Sequence, residues 1–327
     1  MLMKKILFVL FFLPLIVNGQ FAPPAGQPGS TAIYKDSSVF VSWATNCHVI
    51  RGWQNIADTS LGKATVGDSS MAVGPAGSNG VVSLGDGGTA DLTFLYPIKN
   101  GPSWDFAVFE NSFSDTFLEL AFVEVSSDGI NYFCFPSTSL TDTTIQVGPF
   151  DSLDATKINN LAGKYRLFYG TPFDLQELSG ISGLDIDHIT HVRLIDVVGS
   201  IDKRYATYDA FGHVINDPWP TPYNSSGFDL DAVGVIHQDM SSVNENLQPF
   251  DFNVFPNPVS KTFRVVSNKG EKISKASVIS LNGEIIMETS PMASDFIMNI
   301  SQLPEGFYLL KISGSDICGY KKIIKTN

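Results

Sequence analysis

The chain is poor in the features from which many enzymes and scaffolds are built. Its 327 residues include three cysteines, too few and odd in number for a disulfide framework. Cys47 and Cys134 remain open to pairing, although Cys134 stands in the aromatic run Tyr132-Phe133-Cys134-Phe135, where a thiol serves as a small buried hydrophobe. Helical periodicity is scarce, with room for one short turn over residues 154–162. Beyond the first nineteen residues no apolar run approaches the ~20 residues of a spanning helix, so no membrane anchor is expected in the mature chain. Basic residues are also few. Residues 20–249 hold 10 Lys and Arg against 26 Asp and Glu, a net charge of −16. That balance excludes a nucleic-acid binder, which needs a basic footprint, and simple docking on anionic lipid. There is no G-x-S-x-G, P-loop, dinucleotide fingerprint or EF-hand loop. Ser60-Leu61-Gly62-Lys63 fits S-x-x-K but lacks the S-D-N and K-T-G that accompany it. The five histidines (His48, His188, His191, His213, His237) show no metal-protease spacing.

What is present reads as β throughout. Short apolar runs alternate with Gly, Pro and Asp punctuation. Val81-Val82-Ser83-Leu84 and Ala90-Asp91-Leu92-Thr93-Phe94-Leu95 flank Gly85-Asp86-Gly87-Gly88 as a hairpin candidate. Strands are expected at 104–110, 118–126, 191–198 and 228–236. In the second of these Leu118, Leu120 and Phe122 share one face, Glu119 points away, and Glu124 breaks the alternation, as a bulge would. The expected fold is all-β: an antiparallel β-sandwich, jelly-roll-like, over residues 20–240. A polar linker follows at 241–251, and a small β-sandwich at 252–327.

Both ends read as addresses. Residues 1–19 have a basic start (Lys4, Lys5), an apolar run over 6–17 and small Gly19, a secretory signal peptide cleaved between Gly19 and Gln20. No cysteine follows, which argues against a lipoprotein anchor. The other end carries Phe255-Pro256-Asn257-Pro258, an S-x-x-G-x-x-I turn from Ser280 to Ile286 containing Asn282-Gly283, the run LPEGFYLLKI and a closing KKIIK. In that order these motifs resemble the type A C-terminal sorting domain of the type IX secretion system. The resemblance covers about the last quarter of the chain. It implies passage through the periplasm, engagement of the type IX machinery and delivery to the outer surface or the medium. The segments DFAVFENSF, FLELAFVEVSSDGINY, NNLAGKYRLFYGTPFDL and DPWPTPYNSSGFDLDAVGVI resemble exported bacterial cell-surface β-sandwich proteins, a likeness that implies fold and location and no particular activity.

Three constellations carry candidate chemistry. Asp105, Glu110, Asn111 and Asp115, with Glu119 just beyond, gather at a strand and the loop after it, a set of hard oxygen donors suited to Ca²⁺. Asp185 with Asp187, and Asp229 with Asp231, are spaced by two, which puts each pair on one face of an extended chain. Such a pair repels unless a cation or Lys/Arg relieves it, and paired acids also serve glycoside hydrolysis. In each case the competing reading is a turn or a solvated face, because Asp marks turns. The loop 200–227 is long for a compact domain and holds Asp217, Trp219 and Tyr223 among three prolines, rings placed to stack on a sugar or another flat ligand. The sequence therefore leads to an exported, surface-delivered β-sandwich that binds a glycan or small ligand and carries structural Ca²⁺. A secreted polysaccharide hydrolase using Asp229 and Asp231, with no catalytic residue otherwise assigned, and an adhesive surface protein are the alternatives.

Overall fold

A computed structural model describes residues 20–239, 248–280, 285–313 and 317–327. Residues 1–19, where a signal peptide is expected, residues 241–247 of the linker and the Asn282-Gly283 turn lie outside the described residues. The chain divides into two compact units, Met1–Met240 and Ser241–Asn327. Among the described residues there is no α-helix, and no helix long and apolar enough to cross a membrane.

The first unit holds β1 (Ile33–Tyr34), β2 (Ser42–Trp43), β3 (Asn46–Ile50), β4 (Val82–Ser83), β5 (Thr89–Ile98), β6 (Phe106–Glu110) and β7 (Ala121–Ser126). After these come β8 (Phe133–Cys134), β9 (Thr138–Ser139), β10 (Ile158–Asn159), β11 (Tyr169–Phe173), β12 (Ile189–Asp196) and β13 (Asp229–Val235). One sheet runs β1-β11-β6-β13-β2 with β4 also on β13; the other runs β3-β5-β12-β7-β8, and every pairing is antiparallel. Between them lies a shared core. Phe106, Val108, Phe173, Leu230 and Val233 come from the first sheet, and Leu92, Val123, Val125, Val192 and Leu194 from the second. Phe106, Phe135 and Phe173 pack ring on ring at 5.0–5.9 Å between centroids. Each fully buried side chain of this size stabilises by roughly 1.5–3 kcal/mol.

Three local expectations change. The run 81–95 is not a hairpin: β4 joins one sheet through β13 while β5 joins the other through β3 and β12. Gly85-Asp86-Gly87-Gly88 is the crossover, and it packs so tightly that a Cβ on Gly88 would stand 2.1 Å from the Leu84 carbonyl oxygen. Strand β7 has no bulge, because its register with β12 runs unbroken from Ala121 to Ser126. Its core face is Ala121, Val123 and Val125. Leu118, Leu120 and Phe122 belong to a separate cluster with Leu153, Ile158 and Ile215, so both faces are covered. Glu124 faces outward opposite Arg193, 3.8 Å away. The bulge lies instead on β13, where the register against β6 shifts between Leu230 and Ala232. The extra residue is Asp231, so Leu230 and Val233 both reach the core while Ala232 joins Phe109 in another cluster.

Cys47 and Cys134 are free. They sit on β3 and β8, opposite edges of one five-stranded sheet, about 19 Å apart at the usual strand spacing, which excludes a bridge.

Aspartate is abundant because it caps turns. The four short 3₁₀ turns, Thr59–Leu61, Ser69–Ala72, Ala155–Lys157 and Leu175–Leu178, follow Asp58, Asp68, Asp154 and Asp174, each accepting the amide two residues on. Asp128, Asp142, Asp185, Asp202 and Asp209 do the same in loops.

The second unit holds β14 (Gln248–Pro249), β15 (Phe252–Phe255), β16 (Thr262–Ser267), β17 (Lys275–Ile279), β18 (Ile285–Thr289), β19 (Asp295–Asn299), β20 (Gly306–Ser313) and β21 (Ile317–Lys325). They form the sheets β14-β21-β20-β17-β18 and β15-β16-β19 around Phe252, Phe263, Val265, Val278, Leu310, Ile312 and Ile323. Its sequence motifs hold one another. Asn257 donates to the Lys322 carbonyl (2.7 Å) and accepts from the Ile324 amide (2.9 Å), which ties FPNP to KKIIK. The Tyr308 hydroxyl donates to the Pro304 carbonyl (2.9 Å) and closes the LPEG turn onto β20.

Candidate ligand cavity

At the end of the sandwich where β6 stops and β13 starts, a cavity of about 170 Å³ opens to the surface. Three loops build one wall of rings. Phe113 stacks on Phe117 at 4.4 Å and 14°, Phe117 faces Phe150 at 6.3 Å, and Phe150 faces Tyr223 at 6.0 Å. Phe113, Phe150 and Tyr223 are 73, 68 and 47 % exposed, so this apolar surface is offered to solvent. The same cavity is also lined by Asn111, Glu119, Thr221, Ser225 and Asp229.

The acids at this end occupy positions that a core would give to Leu or Val. Glu110 continues the alternation of Phe106 and Val108, and Glu119 that of Ala121 and Val123, toward the interior. Glu110 is fully enclosed. One of its oxygens accepts the Ser112 amide at 2.8 Å and the other has no partner among the described residues. Burial pushes its carboxyl up to about 8, and the nearby Asp229 adds to the rise. Glu119 is 7 % exposed and accepts no hydrogen bond from the described residues. Burial raises its pKa well above the ordinary value, reinforced by the like charges of Glu110, Asp229, Asp217 and Asp196.

The remaining carboxylates are tethered. Asp229 accepts from the Ser83 hydroxyl and from Asn111 Nδ2 at 3.2 Å, and burial lifts it to about 6. Asp196 accepts the amides of Phe228 (2.7 Å) and Gly87 (2.9 Å), and Asp217 that of Leu120 (2.7 Å). Asp86 takes the Ile56 amide (2.8 Å) and Trp219 Nε1 (3.1 Å). Burial raises all three. They staple loops to the sandwich, whereas Glu119 points a free acceptor into the cavity.

Of the residues singled out from the sequence, the structure brings Glu110, Asn111, Asp229 and Tyr223 to this place. Asp217 lies buried behind it, and Trp219 holds Asp86 away from the aromatic wall. The others disperse. Asp105 is buried and saturated by the amides of Gly101 (2.8 Å) and Leu175 (2.7 Å) and by His237 Nδ1 (2.8 Å). Asp115 pairs with Arg166 at 2.5 Å. Asp185 and Asp187 lie in an exposed turn rather than on an extended face, because the Asp185 side chain caps the Asp187 amide. Asp231, at the bulge, accepts the Gly77 amide at 2.9 Å and does not line the cavity with Asp229. Among the described residues no group of three or more His, Cys, Asp or Glu is placed to hold a metal ion.

Residues 253–326 match the family described as "Secretion system C-terminal sorting domain". No curated protein matches the chain. Among solved structures, the chain is similar to "Biofilm associated protein - BSP domain" at 12 % identity and a TM-score of 0.20, over 76 % of this chain and 49 % of that one. It is also similar to a Ruminococcus gnavus beta-glucuronidase in complex with uronic isofagomine (11 %, 0.23, 89 % and 44 %) and to a Faecalibacterium prausnitzii beta-glucuronidase (10 %, 0.21, 90 % and 48 %). The chain thus spans about half the length of each. Likenesses this low carry no inference about ligand or reaction. The tail match does bear on location: the chain ends in a type IX sorting domain, which directs export to the cell surface or secretion.

Proposed function

We propose that this chain, exported through its type IX sorting tail, displays a sandwich that binds a saccharide unit in the cavity at the β6–β13 end. The observation that carries the reading is one small cavity lined both by the ring series Phe113, Phe117, Phe150 and Tyr223 and by the acceptors Asn111, Glu119 and Asp229. A pyranose has an apolar face and an edge of hydroxyls, so it matches rings on one side and carboxylate or amide acceptors on the other. The volume of about 170 Å³ is below the range of roughly 300–1,000 Å³ typical of drug-sized sites, which fits one sugar unit rather than a buried oligomer. The test is glycan-array binding of the exported protein beside Phe150→Ala and Tyr223→Ala. Both side chains are exposed, so the variants keep the fold. Each lost stacking contact weakens affinity by about 2- to 10-fold. An array without any bound sugar, or variants that bind unchanged, overturns the reading. Hydrolysis is the second reading, favoured by a carboxyl held protonated (Glu119) beside the more readily ionised Asp229, the kind of division glycoside hydrolysis uses. Release of reducing ends, abolished in Glu119→Gln, is its measurement.

A further inference from the structure

We propose that the sugar taken by the cavity is positively charged: an unacetylated amino sugar whose ammonium meets Glu119 while its ring lies on the aromatic wall. The inference rests on the saccharide reading and narrows it. The first observation is the bare acceptor. Asp86, Asp196, Asp217, Asp229 and Glu110 each accept at least one hydrogen bond from the protein. Glu119 lines the cavity, is 7 % exposed and accepts none from the described residues. Its carboxyl reaches the cavity rather than sealed core, so a ligand seated there can replace solvent as the donor.

The second observation is the sign of everything that faces it. Glu110 comes from the end of β6, Asp229 from the start of β13, Asp196 from the end of β12 and Asp217 from the 200–227 loop. Among charged groups these act on Glu119 most strongly, and all are acidic. Asp86 stands behind Asp196 and Asp217. The cation near Asp229 is Arg51, whose guanidinium donates to the carbonyls of Val66 (2.8 Å), Gly67 (2.5 Å) and Ser83. Neutral hydroxyls would satisfy the Glu119 lone pairs without offsetting the charge these acids acquire when they ionise. An ammonium supplies donors and the missing positive charge together, and ring faces attract cations as well.

Binding then moves a proton. In the empty protein burial and the surrounding acids favour the protonated form of Glu119. When the ammonium arrives the carboxyl O–H breaks, the proton leaves to water, and no covalent bond forms with the ligand. Affinity therefore rises with pH while the amine remains protonated.

Titration calorimetry of the exported protein with glucosamine, N-acetylglucosamine and glucose, in two buffers of different ionisation heat, tests this. Glucosamine is expected to bind about tenfold tighter than either neutral sugar and to release protons on binding. In Glu119→Gln that preference and the proton release disappear, while the unfolding midpoint does not fall. Equal affinities with no proton release in the wild-type protein overturn the charge inference and leave the saccharide reading standing. Binding of methylammonium with no sugar bound overturns the saccharide reading instead. No binding of any of these overturns both.

Discussion

Raising pH should destabilise the cargo unit over a range in which most proteins are insensitive, and replacing Glu110 should remove a measurable part of the effect. A carboxyl whose pKa is higher in the fold than in the unfolded chain stabilises the fold fully below the unfolded value. It gives that stability up as pH rises through the folded one. Glu110 goes from its ordinary 4.5 to about 8, which favours the protonated fold by on the order of 5 kcal/mol once both states would otherwise be ionised. Between pH 5 and pH 7 the loss from this residue alone is roughly 2–3 kcal/mol. Glu119, Asp196 and Asp217 shift in the same direction, so the whole unit falls faster than Glu110 alone requires. Tryptophan fluorescence isolates that unit, because Trp43, Trp53, Trp104 and Trp219 all precede the tail. In guanidinium titrations of the full chain at pH 5, 6, 7 and 8, the Trp transition should move to lower denaturant at each step. Glu110→Gln should flatten the fall between pH 5 and 7 by roughly 2–3 kcal/mol. Its amide keeps the shape but cannot ionise. A wild-type transition that stays level or rises over this range would refute the reasoning, as would a variant that follows the wild-type slope.

Other outcomes follow from single contacts. Gly163 has φ +81°, and a Cβ there would stand 1.8 Å from the Glu119 carbonyl oxygen. Gly163→Ala should therefore cost roughly 2–5 kcal/mol from left-handed strain plus overpacking, read as an early Trp transition; a variant within 0.5 kcal/mol of wild type would show that the segment moves aside freely. For calcium, the Asp and Glu donors read from sequence are dispersed and mostly bonded. We expect the unfolding midpoint to be the same in EDTA and in millimolar Ca²⁺; a midpoint climbing with concentration would place an ion at Glu110, Asn111 and Asp229. Deleting residues 253–326 should leave the cargo unit folded but absent from the cell surface, as measured by protease accessibility on whole cells. Surface display of that truncation would contradict the role of the tail.

The fold was legible where pattern and burial agree. β12 reads off its alternation, with Val192 and Leu194 inward and His191 and Arg193 less buried. The tail reads off its motifs because they touch: Asn257 on β21 and Tyr308 on the Pro304 turn are specific bonds that specific residues make. The turn at Gly85–Gly88 misled because glycine reports a tight backbone and not where the two arms go. A crossover and a hairpin demand the same conformational freedom, and only the long-range pairing of β4 with β13 separates them.

The cavity was half legible for a related reason. Tyr223, Glu110, Asn111 and Asp229 stand out by type, but alternation turns Glu119 away from the face of Leu118, Leu120 and Phe122, which looks like the buried face of a strand. They are buried, against Leu153, Ile158 and Ile215. The other face is buried too, and on it Glu119 shares parity with Ala121, Val123 and Val125. When both faces of a strand are covered, alternation no longer reports inside and outside, and the charged residue cannot be placed by parity alone. The residual signal is chemical. A chain with 21 Asp and 5 Glu over residues 20–249 uses its short acids as turn caps, as Asp58, Asp68, Asp154 and Asp174 show. A longer acid reaches past its own backbone and is poorly suited to that duty. Glu110 and Glu119 each follow apolar neighbours and lie in the interior, and although one Glu110 oxygen takes the Ser112 amide two residues on, its other oxygen and the Glu119 carboxyl cap no turn. That is the reason to look for a ligand where they meet.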